Sequence, residues 1–281
     1  MSKRIFNFSA GPATLPLHVL EKAQQELLNF QDQGMSIMEM SHRSKIFEAV
    51  LDNAKSGIKD LLSVPDTHDI LFLQGGASLQ FSMVPLNIAQ EGKKVSLINT
   101  GIWSKKALKE IKKQSECDVV ASSEDKNFSY IPTINDNQID QNASFLYMCS
   151  NNTIFGTQFK QFPNTNTVPL VADMSSDILS RKLDVSKFGI IFAGSQKNIG
   201  PAGVTIVIIR KDLLDRSPDN LPSMLNYNSF VESNSLYNTI PTFGIYIISS
   251  VIDWIKQQGG LDAIEKNNDT KASMLYDAID S

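Results

Sequence analysis

Several features are scarce in this sequence of 281 residues. Two cysteines, Cys117 and Cys149, are too few for a disulfide framework and favour a reducing, cytoplasmic setting. The three histidines are scattered without metal-ligand spacing, so no metal site is predicted. The apolar runs are too short to cross a bilayer, and residues 1–8 lack the apolar stretch of a signal peptide.

Charge of one sign is not in excess either. The 26 basic and 30 acidic residues give a formal net charge of −4. This balance argues against nucleic acid or an anionic membrane as the main partner, whereas a small anionic substrate stays open because its binding depends on local charge. Apolar residues make up 42% of the chain, so a sizeable core can form, and the length predicts one large domain and part of another.

Helical and strand patterns alternate through most of residues 1–120. Apolar residues at helical spacing predict one helix beginning near Pro16 and a second beginning near Ser44, a candidate N-cap. Continuous short apolar runs are typical of strands covered on both faces. These runs are residues 70–73, 94–99, 145–149, 169–172, 189–193 and 203–209. The predicted fold class is therefore α/β, with a mostly parallel sheet flanked by helices.

The last third of the chain has a different pattern. Residues 215–232 are polar and contain proline, which predicts a surface loop. Apolar spacing predicts two further helices, over residues 242–258 and 261–279, with Gly259 and Gly260 between them.

Lys197 lies in a loop of small residues and glycines between two predicted strands. A lysine at a strand end can project into a cleft, where its amine could form a Schiff base with an aldehyde cofactor. The glycines permit close approach of a ligand. A solvated loop lysine is the commoner case for any lysine taken at random.

Asp173 ends another buried run. A carboxylate there can pair with a protonated pyridine nitrogen, which keeps the ring an electron sink. A cap on the turn that follows is an equally good interpretation.

Three other places could bind parts of such a cofactor. The strand-to-helix turn 75–78 offers free backbone N–H groups to a phosphate, or is an ordinary loop. Trp103 offers a flat face for stacking, or anchors its own helix. Thr153 could bind a polar ring substituent, or complete a turn.

His42 and Arg43 directly precede the helix that begins near Ser44. The guanidinium of an arginine is a bidentate donor for carboxylate or phosphate, and a helix start adds N–H groups. An exposed loop arginine without such a role is the commoner case.

Taken together, five segments resemble signatures of the phosphoserine aminotransferase family, and the likeness runs along essentially the whole chain. The segments are residues 6–13 (FNFSAGPA), 38–43 (MEMSHR), 172–176 with 179–181 (ADMSS and LSR), 193–203 (AGSQKNIGPAG) and 237–242 (YNTIPT). The resemblance implies a pyridoxal-phosphate-dependent transferase of fold type I, with a mostly parallel, seven-stranded sheet flanked by helices. It also implies a homodimer with shared active sites.

The resemblance assigns roles by matching position. It makes Lys197 the Schiff-base lysine, Asp173 the partner of the ring nitrogen, Trp103 the stacking residue and Thr153 a neighbour of the ring hydroxyl. The residues matched to the cofactor phosphate are Ala77, Ser78 and Gln196, with Asn238 and Thr239 from the neighbouring subunit.

The implied reaction is a ping-pong transfer of an amino group between glutamate and 3-phosphohydroxypyruvate, giving O-phosphoserine and 2-oxoglutarate in serine biosynthesis. His42 and Arg43 match residues that bind the distal anion of the substrate. Some bacterial relatives also act on a phosphorylated hydroxythreonine in pyridoxal phosphate synthesis.

Two departures from the family pattern affect the substrate half of the site. Some family members carry arginine where this chain has Ser78. The family also continues past Ser281 into a C-terminal small domain, which supplies an arginine for the α-carboxylate and a His-Arg pair near the phosphate. The resemblance thus divides the chain into an N-terminal arm belonging with the small domain (1–15), a large cofactor-binding domain (16–260) and the start of a truncated small domain (261–281), and predicts impaired turnover if the remainder is needed.

Two alternative hypotheses stay open. Another fold type I enzyme, such as a cysteine desulfurase, needs a reactive cysteine in a mobile loop. Cys149 in an apparent strand and Cys117 beside one disfavour it. The other alternative is a chain that binds pyridoxal phosphate, or dimerises with a full-length partner, without turnover.

Overall fold

The computed structural model describes residues 4–281, so the first three residues of the predicted arm lie outside it. Its central feature is a seven-stranded sheet, accompanied by a separate two-stranded hairpin. The sheet strands are β1 (His68–Leu73), β2 (Val95–Asn99), β3 (Cys117–Ser122), β4 (Leu146–Cys149), β7 (Leu170–Asp173), β8 (Ile190–Gly194) and β9 (Thr205–Arg210), and the hairpin strands are β5 (Asn151–Asn152) and β6 (Thr157–Gln158).

Six of the seven sheet strands run in the same direction. The spatial order is β1-β9-β8-β7-β4-β2-β3, and the pairs from β8 to β3 are all parallel. Strand β9 is antiparallel to both of its neighbours, β1 and β8. It follows that β1 is parallel to β8, so its carboxyl end lies at the same edge as those of the other parallel strands. The predicted mostly parallel sheet is confirmed.

Helices cover both faces of this sheet. They are α1 (Leu17–Glu26), α2 (Lys45–Leu62), α3 (Gly76–Ile88), α4 (Ile102–Ile111), α5 (Tyr227–Glu232), α6 (Thr242–Gln257) and α7 (Gly260–Asp280). Ser44 caps α2 as predicted, because its hydroxyl accepts a hydrogen bond from the N–H of Phe47 at 3.2 Å. The same helix ends where Ser63 adopts a left-handed backbone conformation.

Successive strand residues enter opposite cores, which explains why the strands are apolar without alternation. In β1, Ile70 and Phe72 join the core beneath α2 and α6, while Leu71 and Leu73 join the core beneath α3 and α4. Because the sheet lies between two apolar layers, both faces of each central strand are apolar, which gives the continuous apolar runs of the sequence.

The predicted surface loop over 215–232 is wrong. It ends in helix α5, whose Tyr227 and Phe230 are buried in the core. The hydroxyl of Tyr227 donates to the buried Gln80 side chain at 2.6 Å. Two aromatic side chains three residues apart were enough to bury one face of an otherwise polar segment.

Strand β3 is the strand expected beside Cys117, although it was not among the continuous apolar runs, and Cys117 is its first residue rather than its neighbour. This strand forms one edge of the sheet, and after Cys117 its residues are exposed or half-buried. Half-covered edge strands lack the continuous apolar run that marks the central ones.

The two ends of the described chain are largely exposed. Residues 4–10 are exposed, and α7 buries Leu261 and Ile264 at its beginning but is exposed from residue 271 onward. The domain boundaries at 16 and 260 stay a prediction. No helix within residues 4–281 combines the length and apolarity that a membrane span requires.

Helices α2 and α6 pack so closely that Gly57 has no room for a side chain. A Cβ built on Gly57 would overlap the Ile252 side chain. We expect Gly57→Leu to lower the free energy of unfolding by about 2 kcal/mol, because overpacking costs about 3 kcal/mol and better helix propensity returns about 1. Urea denaturation measures this change. The matched control, Ser56→Leu on the exposed face, should change it by less than about 0.5 kcal/mol; equal effects would contradict the packing argument.

Candidate functional site

The candidate site lies along the edge where the parallel strands end. Asp173 ends β7, Lys197 follows β8, and the hairpin containing Thr153 follows β4. The start of α3 follows β1, and Trp103 is near the start of α4, after β2. In open α/β sheets, ligands bind outside the carboxyl ends of the strands.

Lys197 is half-buried and its amine has two contacts in the cleft. The amine donates a 2.7 Å hydrogen bond to the hydroxyl of Thr153 and lies 4.6 Å from the centroid of the Trp103 ring. The amine is therefore bonded within the chain rather than only to solvent, and its Schiff-base role stays a prediction.

The N-terminal arm covers the aliphatic stem of this lysine. A Cβ built on Gly11 would lie 2.9 Å from Cγ of Lys197. Two residues later, the N–H of Ala13 donates to the carbonyl of Gln196 at 2.9 Å. The arm was not predicted to touch Lys197, since nothing in the sequence pairs two segments so far apart.

Asp173 is 4% exposed, and its contacts are compatible both with a cap on the following turn and with a partner for a ring nitrogen. One carboxylate oxygen accepts hydrogen bonds from the N–H and the hydroxyl of Ser175, at 2.9 and 2.6 Å, so the residue does cap the following turn. The hydroxyl of Ser175 in turn accepts from the N–H of Gly194 at 3.0 Å, which ties the acid to β8. The second carboxylate oxygen makes no hydrogen bond with residues 4–281.

Burial raises the pKa of Asp173, while the bonds from Ser175 and the charge of Lys197 lower it. The pKa of Asp173 is raised overall, so the protein stabilises the negative charge of its carboxylate less well than water does. A cation placed against the free oxygen would supply that compensation.

The start of α3 has the form of an anion site. Gly75 and Gly76 both adopt positive φ angles, of 89° and 65°. The first backbone hydrogen bond of the helix runs from the N–H of Leu79 to the carbonyl of Gly75. The N–H groups of Gly76, Ala77 and Ser78 are therefore free. These groups and the helix dipole favour a phosphate.

The start of α4 is held against the hairpin that carries Thr153. The amide of Asn152 donates to the carbonyl of Thr100 at 2.9 Å. Trp103 is half-buried, and its indole N–H is buried without a hydrogen-bond partner among the described residues. A buried donor left unpaired is unusual in a folded protein.

Two pairs of predicted residues make no hydrogen bond with Lys197 or Asp173. His42 and Arg43 form the turn before α2, and neither makes a hydrogen bond with Lys197 or Asp173. The guanidinium of Arg43 is exposed.

Asn238 and Thr239 lie beside the start of α3 within the same chain. The Asn238 amide donates to the Gln74 side chain at 2.9 Å, and Gln74 donates to the Thr239 carbonyl at 3.3 Å. Their predicted role for a neighbouring subunit stays a prediction. Gln196 folds back over β8, since a Cβ built on Gly194 would lie 2.9 Å from its amide oxygen.

Both cysteines are free and buried. Burial raises the pKa of Cys117 to about 12. Burial and the nearby acid Asp173 also raise the pKa of Cys149 well above its usual range. A thiol with a raised pKa is a poor nucleophile, because the thiolate is the reactive form.

The chain is similar to known proteins along essentially its whole length. The family model "Aminotransferase class-V" matches residues 5–281. A phosphoserine aminotransferase from Geobacillus kaustophilus is 61% identical over 99% of this chain and 77% of its own length. The solved structure of phosphoserine aminotransferase from Bacillus circulans subsp. alkalophilus is 51% identical, with a TM-score of 0.96 over 100% of this chain and 78% of its own. That of the PLP-bound enzyme from Trichomonas vaginalis is 42% identical, with a TM-score of 0.92 over 99% and 78%.

The buried carboxylate predicts a pH-dependent gain in stability on its removal. Because the folded-state pKa of Asp173 is raised, its charged form opposes folding, and this cost is absent below the unfolded pKa of about 3.9. We expect Asp173→Asn, without added ligand, to have a higher urea midpoint than the unaltered chain at pH 7. The gap should narrow as the pH falls toward about 4.

The control for this prediction is the exposed acid Asp269. Asp269→Asn should leave the midpoint close to that of the unaltered chain at both pH values. A lower midpoint for Asp173→Asn at pH 7 would show that its carboxylate stabilises the fold, contrary to the argument from burial.

Proposed function

The chain belongs to the aminotransferase class-V family, among the phosphoserine aminotransferases, and from this premise we propose how its own residues divide the work. The reaction is the pyridoxal-phosphate-dependent transfer of an amino group between glutamate and 3-phosphohydroxypyruvate, which gives O-phosphoserine for serine biosynthesis. The observation that carries the assignment of roles is the Lys197 amine, held between Thr153 and Trp103 within reach of the Asp173 charge.

The residues present fit the cofactor. The free N–H groups of Ala77 and Ser78 suit its phosphate, and the Gln196 side chain, which lies against Gly194, is assigned as a further donor. The flat face of Trp103 suits its ring, and the unbonded oxygen of Asp173 suits a protonated ring nitrogen.

Lys197 moves the proton in this proposal. When bound, pyridoxal phosphate supplies an aldehyde that bonds to amines and a ring that withdraws electrons from the adjacent carbon. Lys197 Nζ is the amine that would hold this aldehyde, and it would be free to act on a proton once the substrate amine takes its place. The freed Nζ then takes the proton from the glutamate Cα and later delivers it, as general base and then general acid.

Asp173 and Thr153 assist from either side. Asp173 would face the protonated ring nitrogen, and a cation there would lower the pKa that burial raises. The Thr153 hydroxyl receives the hydrogen bond from Lys197 and so orients the amine.

The substrate is bound by residues outside the Lys197 cluster. Arg43 presents an exposed guanidinium beside the start of α2, and His42 precedes it with a ring nitrogen that is buried and unpaired among the described residues. We assign them to the distal anion of the substrate. Asn238 and Thr239 complete the phosphate site of a neighbouring subunit in a homodimer. The two buried free thiols suit a reducing, cytoplasmic setting.

A cysteine desulfurase is the less favoured function. That chemistry needs an accessible thiolate, whereas both cysteines are buried with raised pKa values. Incubation with cysteine should therefore release no sulfide, while glutamate with 3-phosphohydroxypyruvate should yield phosphoserine. Activity on a phosphorylated hydroxythreonine is a further possibility for the same substrate panel.

Lys197→Ala tests the central role. We expect the variant to lose both the visible absorbance that pyridoxal phosphate gives on bonding to the amine and at least about 10³-fold of the transfer rate, because nucleophile and proton carrier are the same group. Absorbance spectra and phosphoserine formation measure the two losses. The exposed Lys187→Ala serves as control and should retain both. An unchanged Lys197→Ala spectrum would refute the assignment.

Arg43→Met tests the substrate assignment. Loss of a bidentate, charge-assisted contact worth about 2 kcal/mol should raise KM for glutamate about 30-fold, with a smaller change in kcat. Lys45→Met removes an exposed positive charge two residues away and should leave KM within about twofold. Equal effects of the two variants would indicate general charge rather than a specific contact.

A further inference from the structure

A second buried carboxylate lies four residues after Asp173, and the proposed mechanism does not use it. The side chain of Asp177 is 5% exposed. Its pKa is raised by burial and lowered by its hydrogen bonds to Ser150 and Gln158 and by the charge of Arg181. Burying a charge is costly unless it is fully paired, so its partners show what it holds.

Both carboxylate oxygens of Asp177 bind the hairpin that follows β4. The hydroxyl of Ser150, directly before β5, bonds to one oxygen at 2.5 Å. The amide of Gln158, at the end of β6, donates to the other oxygen at 3.3 Å. One side chain thus connects to the beginning and the end of the same hairpin.

Arg181 strengthens this connection four residues further on. Its guanidinium lies 4.0 Å from the Asp177 carboxylate and is itself mostly buried. It also donates to the backbone carbonyls of Phe159 and Lys160, which continue the chain after β6. We call the side chains of Asp177, Arg181, Ser150 and Gln158 the Asp177 clamp.

The hairpin held by the clamp carries Thr153 in its turn. The Thr153 hydroxyl receives the hydrogen bond from the Lys197 amine. On the other side, the clamp begins in the turn that Asp173 caps, where the Ser176 hydroxyl donates to the Asn151 carbonyl at 2.8 Å. The clamp therefore joins the segment of the ring-nitrogen partner to that of the lysine partner.

We propose that Asp177 is a positioning residue that sets the Lys197 amine through the hairpin and Thr153. The inference rests on the proposed function, because it concerns the bonding of the same amine. A misplacement of about 1 Å at a catalytic group can cost about 100-fold in rate. By fixing both ends of the hairpin, the clamp fixes the four-residue turn that carries Thr153.

The test is a double-mutant cycle read by spectroscopy. Asp177→Asn keeps the shape of the side chain but removes the charge, and Thr153→Val removes the hydroxyl that accepts from Lys197. The readout is the apparent pKa of the visible absorbance of the protein loaded with pyridoxal phosphate. The charged groups near the amine, Asp173 and Lys106 at the Trp103 ring, are the same in every variant.

Each single variant should lower that apparent pKa by about half a pH unit or more, because each weakens the acceptor that stabilises a protonated nitrogen. In the Thr153→Val background, Asp177→Asn should add little, because its effect passes through the missing hydroxyl. Equal shifts in both backgrounds, or no shift in folded Asp177→Asn, would overturn the proposal. A lower melting temperature alone would mark Asp177 as merely structural and would also overturn it.

Ser150→Ala keeps the test decisive if Asp177→Asn does not fold. It removes one bond of the clamp and leaves the Asp177–Arg181 pair intact, and the same non-additive shift is expected. Asp184→Asn, an exposed acid on the same β7–β8 connection, is the matched control and should not shift the apparent pKa. If the unaltered chain shows no visible band, the proposed function fails and this inference with it; a band that is insensitive to the clamp defeats this inference alone.

Discussion

The hydrogen bond from the Lys197 amine to the Thr153 hydroxyl depends on the order of the strands and on the core that covers both faces of the sheet. Its two residues are 44 positions apart and meet only because β4 and β8 are parallel members of one sheet. That arrangement needs apolar layers on both faces, since a parallel sheet forms with both sides covered. The core therefore contributes to the chemistry by bringing the loops together at one edge of the sheet. The polar residues of those loops then form the hydrogen bonds of the site.

The same edge of the sheet contains buried charged groups, which are costly to remove from water. Asp173 and Asp177 are both buried at the end of β7, and burial raises the pKa of each. Arg181 accompanies Asp177, whereas Asp173 has only Ser175 and the more distant charge of Lys197. The difference separates their roles physically: a carboxylate with its own arginine is satisfied within the chain, and one with a free oxygen is suited to an external cation.

The sequence was sufficient for the features that leave a local trace. Continuous apolar runs located the central strands, and Ser44 marked the start of α2. Lys197 and Asp173 were found because each follows such a run. The short helix α5 was missed, and the edge strand β3 was expected beside Cys117 without bounds, because a helix of six residues and a half-covered strand leave a weak periodic signal.

Contacts between distant segments were beyond reach of a single sequence, and the N-terminal arm shows why. Gly11 touches the stem of Lys197 only because the fold brings the arm across β8, and neither segment has a pattern that refers to the other. Yet the contact has a consequence: the arm shields the methylene groups, while the amine stays directed at Thr153. A side chain at position 11 would have to displace that stem. The absence of a side chain at Gly11 therefore lets the arm pack against the stem of the lysine without moving it.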